Sequence, residues 1–158
     1  MSLPMSSLTP LSSTLTAASS TEHQAFLAVQ ALASTLGQQA TDLLKAAGLS
    51  SAQFNVLRVL RGAGEGRTCG EISAQLISRD PDVTRLLDRL EQAGLVTRSR
   101  ERADRRVITT RINGAGLTLL AALDAPMTEL HARQFGHLGP ERLALLLSLL
   151  AEVQHPPV

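Results

Sequence analysis

The sequence predicts a mainly α-helical fold with one small β-hairpin. Apolar residues recur at helical spacing over most of the chain, two capping boxes mark helix starts, and one arginine-rich stretch has the composition of two β-strands. The 158 residues suffice for one compact domain, or for one domain with an extension that supports dimerisation.

Composition narrows the class of protein. No apolar run approaches the roughly 18 residues of a membrane span, and the first residues lack a secretory pattern, so we expect a cytoplasmic protein without membrane partners. The single cysteine, Cys69, excludes an internal disulfide and a multi-cysteine zinc site. No two of the four histidines share the i, i+4 spacing of a helical metal site, so we expect no metal ligands among His23, His131, His137 and His155.

The N-terminal part divides into a tail and a long helix. Residues 1–20 carry no charge and no sustained period, which predicts a flexible tail. From Thr21 to about Ala47 apolar residues recur at helical spacing, and Gly48 follows as a stop. We expect residues 21–48 to form one long helix.

Two capping boxes predict the next two helices. Ser50 with Gln53 opens a helix whose buried face carries Phe54, Leu57 and Leu60, and glycines at 62, 64 and 66 end it in a loop. Thr68 with Glu71 opens a short helix that runs to about Leu76, with its core contacts at Ile72 and Leu76.

A fourth helix is predicted from Asp80 to Ala93, with Asp80 as N-cap and Pro81 at the first helical position. Its apolar stripe consists of four residues at i, i+3, i+4 and i+7, namely Val83, Leu86, Leu87 and Leu90. A separate polar stripe carries Asp82, Arg85 and Arg89, and Gly94 ends the helix.

Two β-prone stretches follow, Leu95 to Arg100 and Arg106 to Ile112, joined by a charged turn over 101–105. Six arginines against Glu101 and Asp104 give the segment from Arg98 to Arg111 a local charge of +4, although the net charge of the whole chain is only +1. This is a directed basic patch, which suits contacts to phosphates and guanine edges.

The C-terminal part predicts helices that need a partner. Asn113 caps a helix that Pro126 should kink or restart, and Gly139 with Pro140 opens the last helix. The segment from Leu143 to Ala151 reads LALLLSLLA and is apolar nearly all round, so it must be buried in its own domain or against a second subunit.

Together these elements predict a winged helix-turn-helix over residues 49–112, flanked by helical segments over 21–48 and 113–155. A major groove admits one α-helix, and the N-terminal end of that helix directs its positive dipole toward phosphates. The hairpin can reach the adjacent minor groove as a wing, where an arginine senses groove width.

Residues 49–120 resemble the MarR (multiple antibiotic resistance regulator) family of dimeric winged-helix regulators. LSSAQFNVLRVL is similar to the family's second helix, PDVTRLLDRLEQAGLV to its recognition helix and the following strand, DRR at 104–106 to its wing signature, and INGAGLTLL to the start of its dimerisation helix. Family members often have glycine in the turn and a Ser-Thr pair opening the recognition helix. This chain has Ile77 and the pair Pro81-Asp82 there, which leaves its base preference open.

The resemblance implies a role for individual residues. Five lie at or near the major groove, namely Arg79, Asp82, Thr84, Arg85 and Arg89. In the wing, Arg105 enters the minor groove, Arg102 and Arg106 also bind DNA, and Asp104 braces the hairpin together with Arg106. Asp82 either accepts a hydrogen bond from a cytosine amino group or pairs with Arg85 or Arg79.

The function that the resemblance implies is a homodimeric repressor that binds an imperfect palindrome in double-stranded DNA, with dimerisation helices over residues 21–48 and 113–155. A small effector, often aromatic or phenolic in this family, would release it from a site between the dimer base and the DNA lobes. No cofactor is implied, and no catalytic constellation is visible, so we expect no enzyme.

Three alternatives stay open. The arginine-rich hairpin could be an ordinary solvated surface, and the fold could bind an acidic protein rather than DNA. Cys69 lies in the first turn of a predicted helix and could make the protein redox-responsive, although family members that sense oxidants generally carry their cysteine in the first helix.

Overall fold

The computed structural model describes residues 20–76, 82–100 and 106–155. The chain divides between Gln38 and Gln39 into two units. The first helix, α1 (Thr21–Ala46), passes through this boundary and ends close to the predicted residue. Gly48 then takes a positive φ of 74°, as a helix stop requires.

The first unit contains the beginning of α1. The hydroxyl of Ser20 accepts a hydrogen bond from the backbone N–H of His23 at 3.3 Å and so satisfies one of the free donors of the first turn. Phe26, Val29 and Leu32 lie along this stretch and are 57%, 53% and 49% exposed. These apolar side chains therefore have no core around them in the isolated chain.

The second unit holds most of the fold. Its helices are α2 (Ser51–Ala63), α3 (Cys69–Gln75), α4 (Val83–Gln92), α5 (Gly114–Phe135) and α6 (Gly139–Gln154), with a short 3-10 turn over Gly136–Leu138 before α6. Its strands are β1 (Arg67–Thr68), β2 (Val96–Arg100) and β3 (Ile108–Ile112). The mainly helical fold with a small hairpin is confirmed.

Both predicted capping boxes are present. The Ser50 hydroxyl accepts from the Gln53 N–H at 3.1 Å, and the Gln53 side chain accepts from the Ser50 N–H at 2.9 Å. Thr68 and Glu71 make the equivalent pair, with the Glu71 carboxylate accepting from the Thr68 N–H at 2.8 Å. Helix α2 continues through Gly62 and ends only before Gly64, which has a φ of 68°.

The predicted start of α4 is wrong by two residues. The N-cap is Asp82, whose carboxylate accepts from the Arg85 N–H at 3.1 Å, and the first helical residue is Val83. Asp80 and Pro81 lie outside the described residues. Either aspartate satisfies the capping preference, so packing of the apolar stripe that begins at Val83 decides the register.

The sheet has the order β1-β3-β2, with antiparallel pairs on both sides of β3. The hairpin of β2 and β3 was predicted, whereas β1 was not, because two residues carry no period. Arg67 pairs with Thr110 and Thr68 with Thr109, so β1 joins the start of α3 to the inner strand of the hairpin.

Helix α5 continues through Pro126, so the predicted restart is wrong. Proline cannot donate the hydrogen bond that the Ala122 carbonyl would otherwise accept. Ala122 and Pro126 are both exposed, so water can bind that carbonyl instead. Before the proline, Leu120 and Leu123 are buried as core residues.

One hydrophobic core joins the end of α1 to helices α2 to α5 and to β2. Leu44, Leu57, Ile72, Leu90 and Leu120 are at most 1% exposed. The predicted apolar stripe of α4 is confirmed, since all four of its members are buried.

An exposed ion pair adds to the contact between α2 and α5. Arg61 donates two hydrogen bonds to the Asp124 carboxylate, at 2.9 and 3.0 Å. These bonds hold the pKa of Asp124 below its ordinary value of 3.8.

Candidate nucleic-acid interface

Helix α4 exposes the polar stripe that the sequence predicted. Thr84, Arg85 and Arg89 are exposed, while the opposite face is buried in the core. Two guanidinium groups one turn apart on a fixed helix suit contacts to phosphates and base edges. Arg79 lies outside the described residues.

Asp82 has a local partner that the sequence analysis did not consider. Its carboxylate caps α4 by accepting the backbone N–H of Arg85. Capping explains why an acidic residue lies at the start of a helix that is predicted to face phosphates, because it satisfies a free donor and complements the helix dipole.

Cys69 lies in the first turn of α3, as predicted, and it is half-buried. Its Sγ is 3.6 Å from the Thr84 Oγ1 on α4. The thiol therefore belongs to the contact between the first and second helices of the helix-turn-helix.

The hairpin extends from the sheet beside α4. Arg100, at the end of β2, and Arg106, just before β3, are both exposed. Ser99 pairs with Thr109 and Arg100 with Ile108, so the ladder continues to the last described residues of β2. The predicted wing residues Arg102, Asp104 and Arg105 lie outside the described residues.

The sequence analysis counted Arg98 only as one of the six arginines of the basic patch, but the structure places its side chain against α4. Its Nη1 lies 2.7 Å from the Asp88 Oδ1, and its Nη2 donates to the Thr84 carbonyl at 3.3 Å. Its Nε is 3.7 Å from the Glu91 Oε2. Arg98 therefore points at α4, and the positive charge available to a ligand is correspondingly smaller.

An open cavity of about 430 Å³ lies on another side of the second unit. Its polar lining comes from Asn55, Arg58, Arg67 and Gln75, and its apolar lining from α2 and from Leu76. The Arg67 guanidinium is 3.4 Å from the Glu65 Oε1 and 3.6 Å from the Glu71 Oε1, longer than good N–H···O bonds. The Arg58 guanidinium carbon is 5.8 Å from the centre of the Phe54 ring. The lining thus combines two arginine side chains with an aliphatic wall.

No cluster of three or more histidine, cysteine or acidic side chains suited to a metal ion occurs among residues 20–76, 82–100 and 106–155. Within the same ranges, no helix has the length and hydropathy needed to span a bilayer.

A helix-turn-helix followed by an antiparallel hairpin defines the class of winged helix-turn-helix proteins. Comparison with known proteins places the chain within that class. The MarR family model matches residues 47–107. A MarR transcription factor from Planctomyces limnophilus is 34% identical, with 84% of this chain and 97% of that chain covered and a TM-score of 0.66. The chain belongs to the MarR family of transcription regulators.

Two further relatives are similar over most of their length. The transcriptional regulator FarR of Neisseria gonorrhoeae is 29% identical over 111 residues, which cover 70% of this chain and 75% of FarR. A cysteine-to-serine mutant of E. coli MarR, solved in complex with operator DNA, has a TM-score of 0.75 at 23% identity, covering 85% of this chain and 99% of that chain. The second likeness shows the shared fold.

Proposed function

We propose that the protein is a homodimeric repressor that binds an imperfect palindrome in double-stranded DNA and is released by a small-molecule effector. The residues 49–112 form the DNA-binding lobe, and the helical segments 21–48 and 113–155 form the dimerisation region. The two lobes of a dimer read half-sites about one DNA turn, roughly 10 bp, apart.

One observation carries this proposal: the exposed face of α4 presents Thr84, Arg85 and Arg89 beside the hairpin. In this arrangement α4 enters the major groove and the hairpin follows the backbone to the minor groove, where Arg105 inserts. Because Asp82 already caps α4, the guanidinium groups of Arg85 and Arg89 carry the base and phosphate contacts.

Two arginine variants with a matched control test the DNA-binding surface. Arg89→Ala and Arg105→Ala should each lower the affinity for operator DNA by about 1–3 kcal/mol, because each removes a guanidinium contact. Arg133→Ala removes the same charge from an exposed position on α5 and should leave the affinity unchanged. Equal effects of Arg89→Ala and Arg133→Ala would show that only overall charge matters and would refute the proposed surface.

Exposed apolar side chains support the proposed dimer. Leu145, Leu147 and Leu149 of α6 are 58%, 68% and 51% exposed, and Val153 is 80% exposed. An isolated helix with this surface would be poorly soluble, whereas a second copy can bury it. The exposed apolar stretch of α1 in the first unit also needs a partner that buries it.

The cavity beside Arg58 and Arg67 is the candidate effector site. Its volume lies within the range of small-ligand pockets, about 300–1,000 Å³, and its lining combines aliphatic groups with two cations. A ligand there would contact β1, which pairs with the hairpin, and the end of α3. All the residues that line the cavity lie within 49–112, the proposed DNA-binding lobe.

Ligand titration tests this site. Benzoate should bind the protein and release operator DNA, and neutral benzamide should do neither, because the two guanidinium groups favour a carboxylate. Arg58→Gln should weaken benzoate binding about tenfold, whereas Arg133→Gln should not. If Arg58→Gln leaves the affinity for benzoate unchanged, this cavity is not the benzoate site.

A rival function is recognition of an acidic protein by the same hairpin. The rival predicts that Arg105→Ala abolishes binding to that partner while Arg89→Ala does not, because no groove needs to be read. Comparable losses on DNA for both variants favour the regulator.

A further inference from the structure

Arg98 connects the hairpin to the helix that is proposed to read DNA. It lies in the middle of β2, and its side chain is only 21% exposed. Its Nη1 and Nη2 lie close to two oxygens on one side of α4, the Asp88 carboxylate at 2.7 Å and the Thr84 carbonyl at 3.3 Å. The Glu91 carboxylate lies on the same side, but at 3.7 Å from Nε it is beyond hydrogen-bond distance. One planar guanidinium therefore bridges one turn of the helix, with Glu91 as a longer ion-pair partner on the next turn.

Charge pairing alone does not account for this arrangement. The Asp88 and Glu91 side chains are 50% and 45% exposed, and ion pairs in such settings contribute little to stability. A guanidinium differs from an ammonium in that its donors are fixed in one plane, so several acceptors restrict its orientation as well as its distance. The Thr84 carbonyl adds a backbone acceptor that no side-chain rotation can remove.

Because Arg98 lies in the middle of β2, a small rotation of the hairpin at this residue displaces the residues further out by a larger distance. Arg98 pairs with Thr110, which is buried to 2% exposure, and the ladder continues outward through Ser99 and Arg100. At about 3.3 Å per residue, a rotation of about 10° at Arg98 displaces Arg100 by about 1 Å, and residues further out by more. Hydrogen bonds to DNA tolerate only a few tenths of an ångström.

We propose that Arg98 is a positioning residue that fixes the angle between the hairpin and α4, so that both can contact one DNA duplex at the same time. It contacts α4 and not the DNA. This inference rests on the proposed DNA-binding function, but it concerns how two surfaces are coupled rather than whether either of them binds.

A double-mutant cycle on DNA affinity tests the coupling. In the wild-type protein, Arg105→Ala should weaken operator binding about tenfold or more. In an Arg98→Ala background the same change should cost less than about threefold, because a hairpin free to rotate no longer delivers Arg105 to the groove. A purely structural Arg98, or one that binds phosphate directly, would leave the two effects additive.

Two further variants serve as controls for this double-mutant cycle. Arg111 lies in the same hairpin and is exposed, so Arg111→Ala with Arg105→Ala should form an additive cycle. Arg98→Lys retains the charge, but an ammonium group cannot reach both acceptors at once. If Arg98→Ala does not fold, a cycle of Arg98→Lys with Arg105→Ala should still show a measurable coupling between the two positions, because the lysine restores only part of the restraint.

The outcomes separate the two claims. Coupling between Arg98 and Arg105, with additivity at Arg111, supports the positioning role. Operator binding by the wild-type protein with an additive Arg98 cycle overturns the positioning role alone. A wild-type protein that binds no DNA overturns the proposed function as well.

Discussion

Gly116 allows a sharp test of how α5 is docked on the rest of the fold. It is buried in the first turn of the helix, and its N–H donates to the Asn113 Oδ1 at 3.0 Å. The same asparagine donates from its Nδ2 to the Gly94 carbonyl at 2.8 Å, so the start of α5 is held against the end of α4. A Cβ at Gly116 would collide with the Leu95 carbonyl oxygen and would lie 2.7 Å from the Ile112 Cγ1.

The expected cost of Gly116→Ala follows from these contacts. Overpacking a filled site costs about 1–3 kcal/mol, and a backbone carbonyl gives way less easily than a side chain, so the upper half of that range applies. Alanine recovers about 0.5–1 kcal/mol of helix propensity. The net destabilisation should therefore be about 1–2.5 kcal/mol, equivalent to a fall in Tm of about 2–10 °C for a chain of this size.

Gly114→Ala is the matched control, because a Cβ there meets nothing within 4 Å. This variant should be neutral or slightly stabilised. Thermal and denaturant unfolding followed by circular dichroism, at one fixed protein concentration, measures both. Equal stability of the two variants would refute the argument that α5 docks through a close contact at Gly116.

Three further predictions concern other parts of the chain. Since the pKa of Asp124 is lowered in the fold, the bridge to Arg61 stabilises the protein above pH 3.8 and is lost as the pH falls through the folded pKa; Asp124→Asn should flatten the dependence of Tm on pH below about pH 5. Leu147→Glu should convert the dimer into a folded monomer in analytical ultracentrifugation, and an unchanged dimer would remove α6 from the proposed interface. Cys69→Ser should leave peroxide-treated protein bound to DNA as tightly as treated wild type, whereas release of the wild type alone would establish a redox role.

Local signals in the sequence predicted much of the secondary structure. The pairs Ser50 with Gln53 and Thr68 with Glu71 place two helix starts because each box depends on side chains three residues apart. The apolar stripe of α4 was equally clear, since burial on one face imposes a period on the sequence.

The errors arose where distant parts of the chain decide the outcome. Asp80 and Asp82 are equivalent as caps, and only packing distinguishes them. Strand β1 forms because β3 provides its hydrogen-bonding partner. A strand of two residues is too short to show an alternating pattern in the sequence. Arg98 was counted as a free charge because its carboxylate partners on α4 are seven and ten residues away in sequence, on an element whose orientation the sequence does not reveal.

In the proposed function, α4 and the hairpin bind DNA largely through arginine contacts to phosphates. The most direct measurement is the affinity for DNA that flanks the protein's own gene, determined by fluorescence anisotropy between 50 and 200 mM salt. With roughly 6–10 phosphate contacts in the dimer, the affinity should fall by about 10³- to 10⁵-fold over this range. An affinity that is independent of salt, or no binding at 50 mM salt, would contradict the claim.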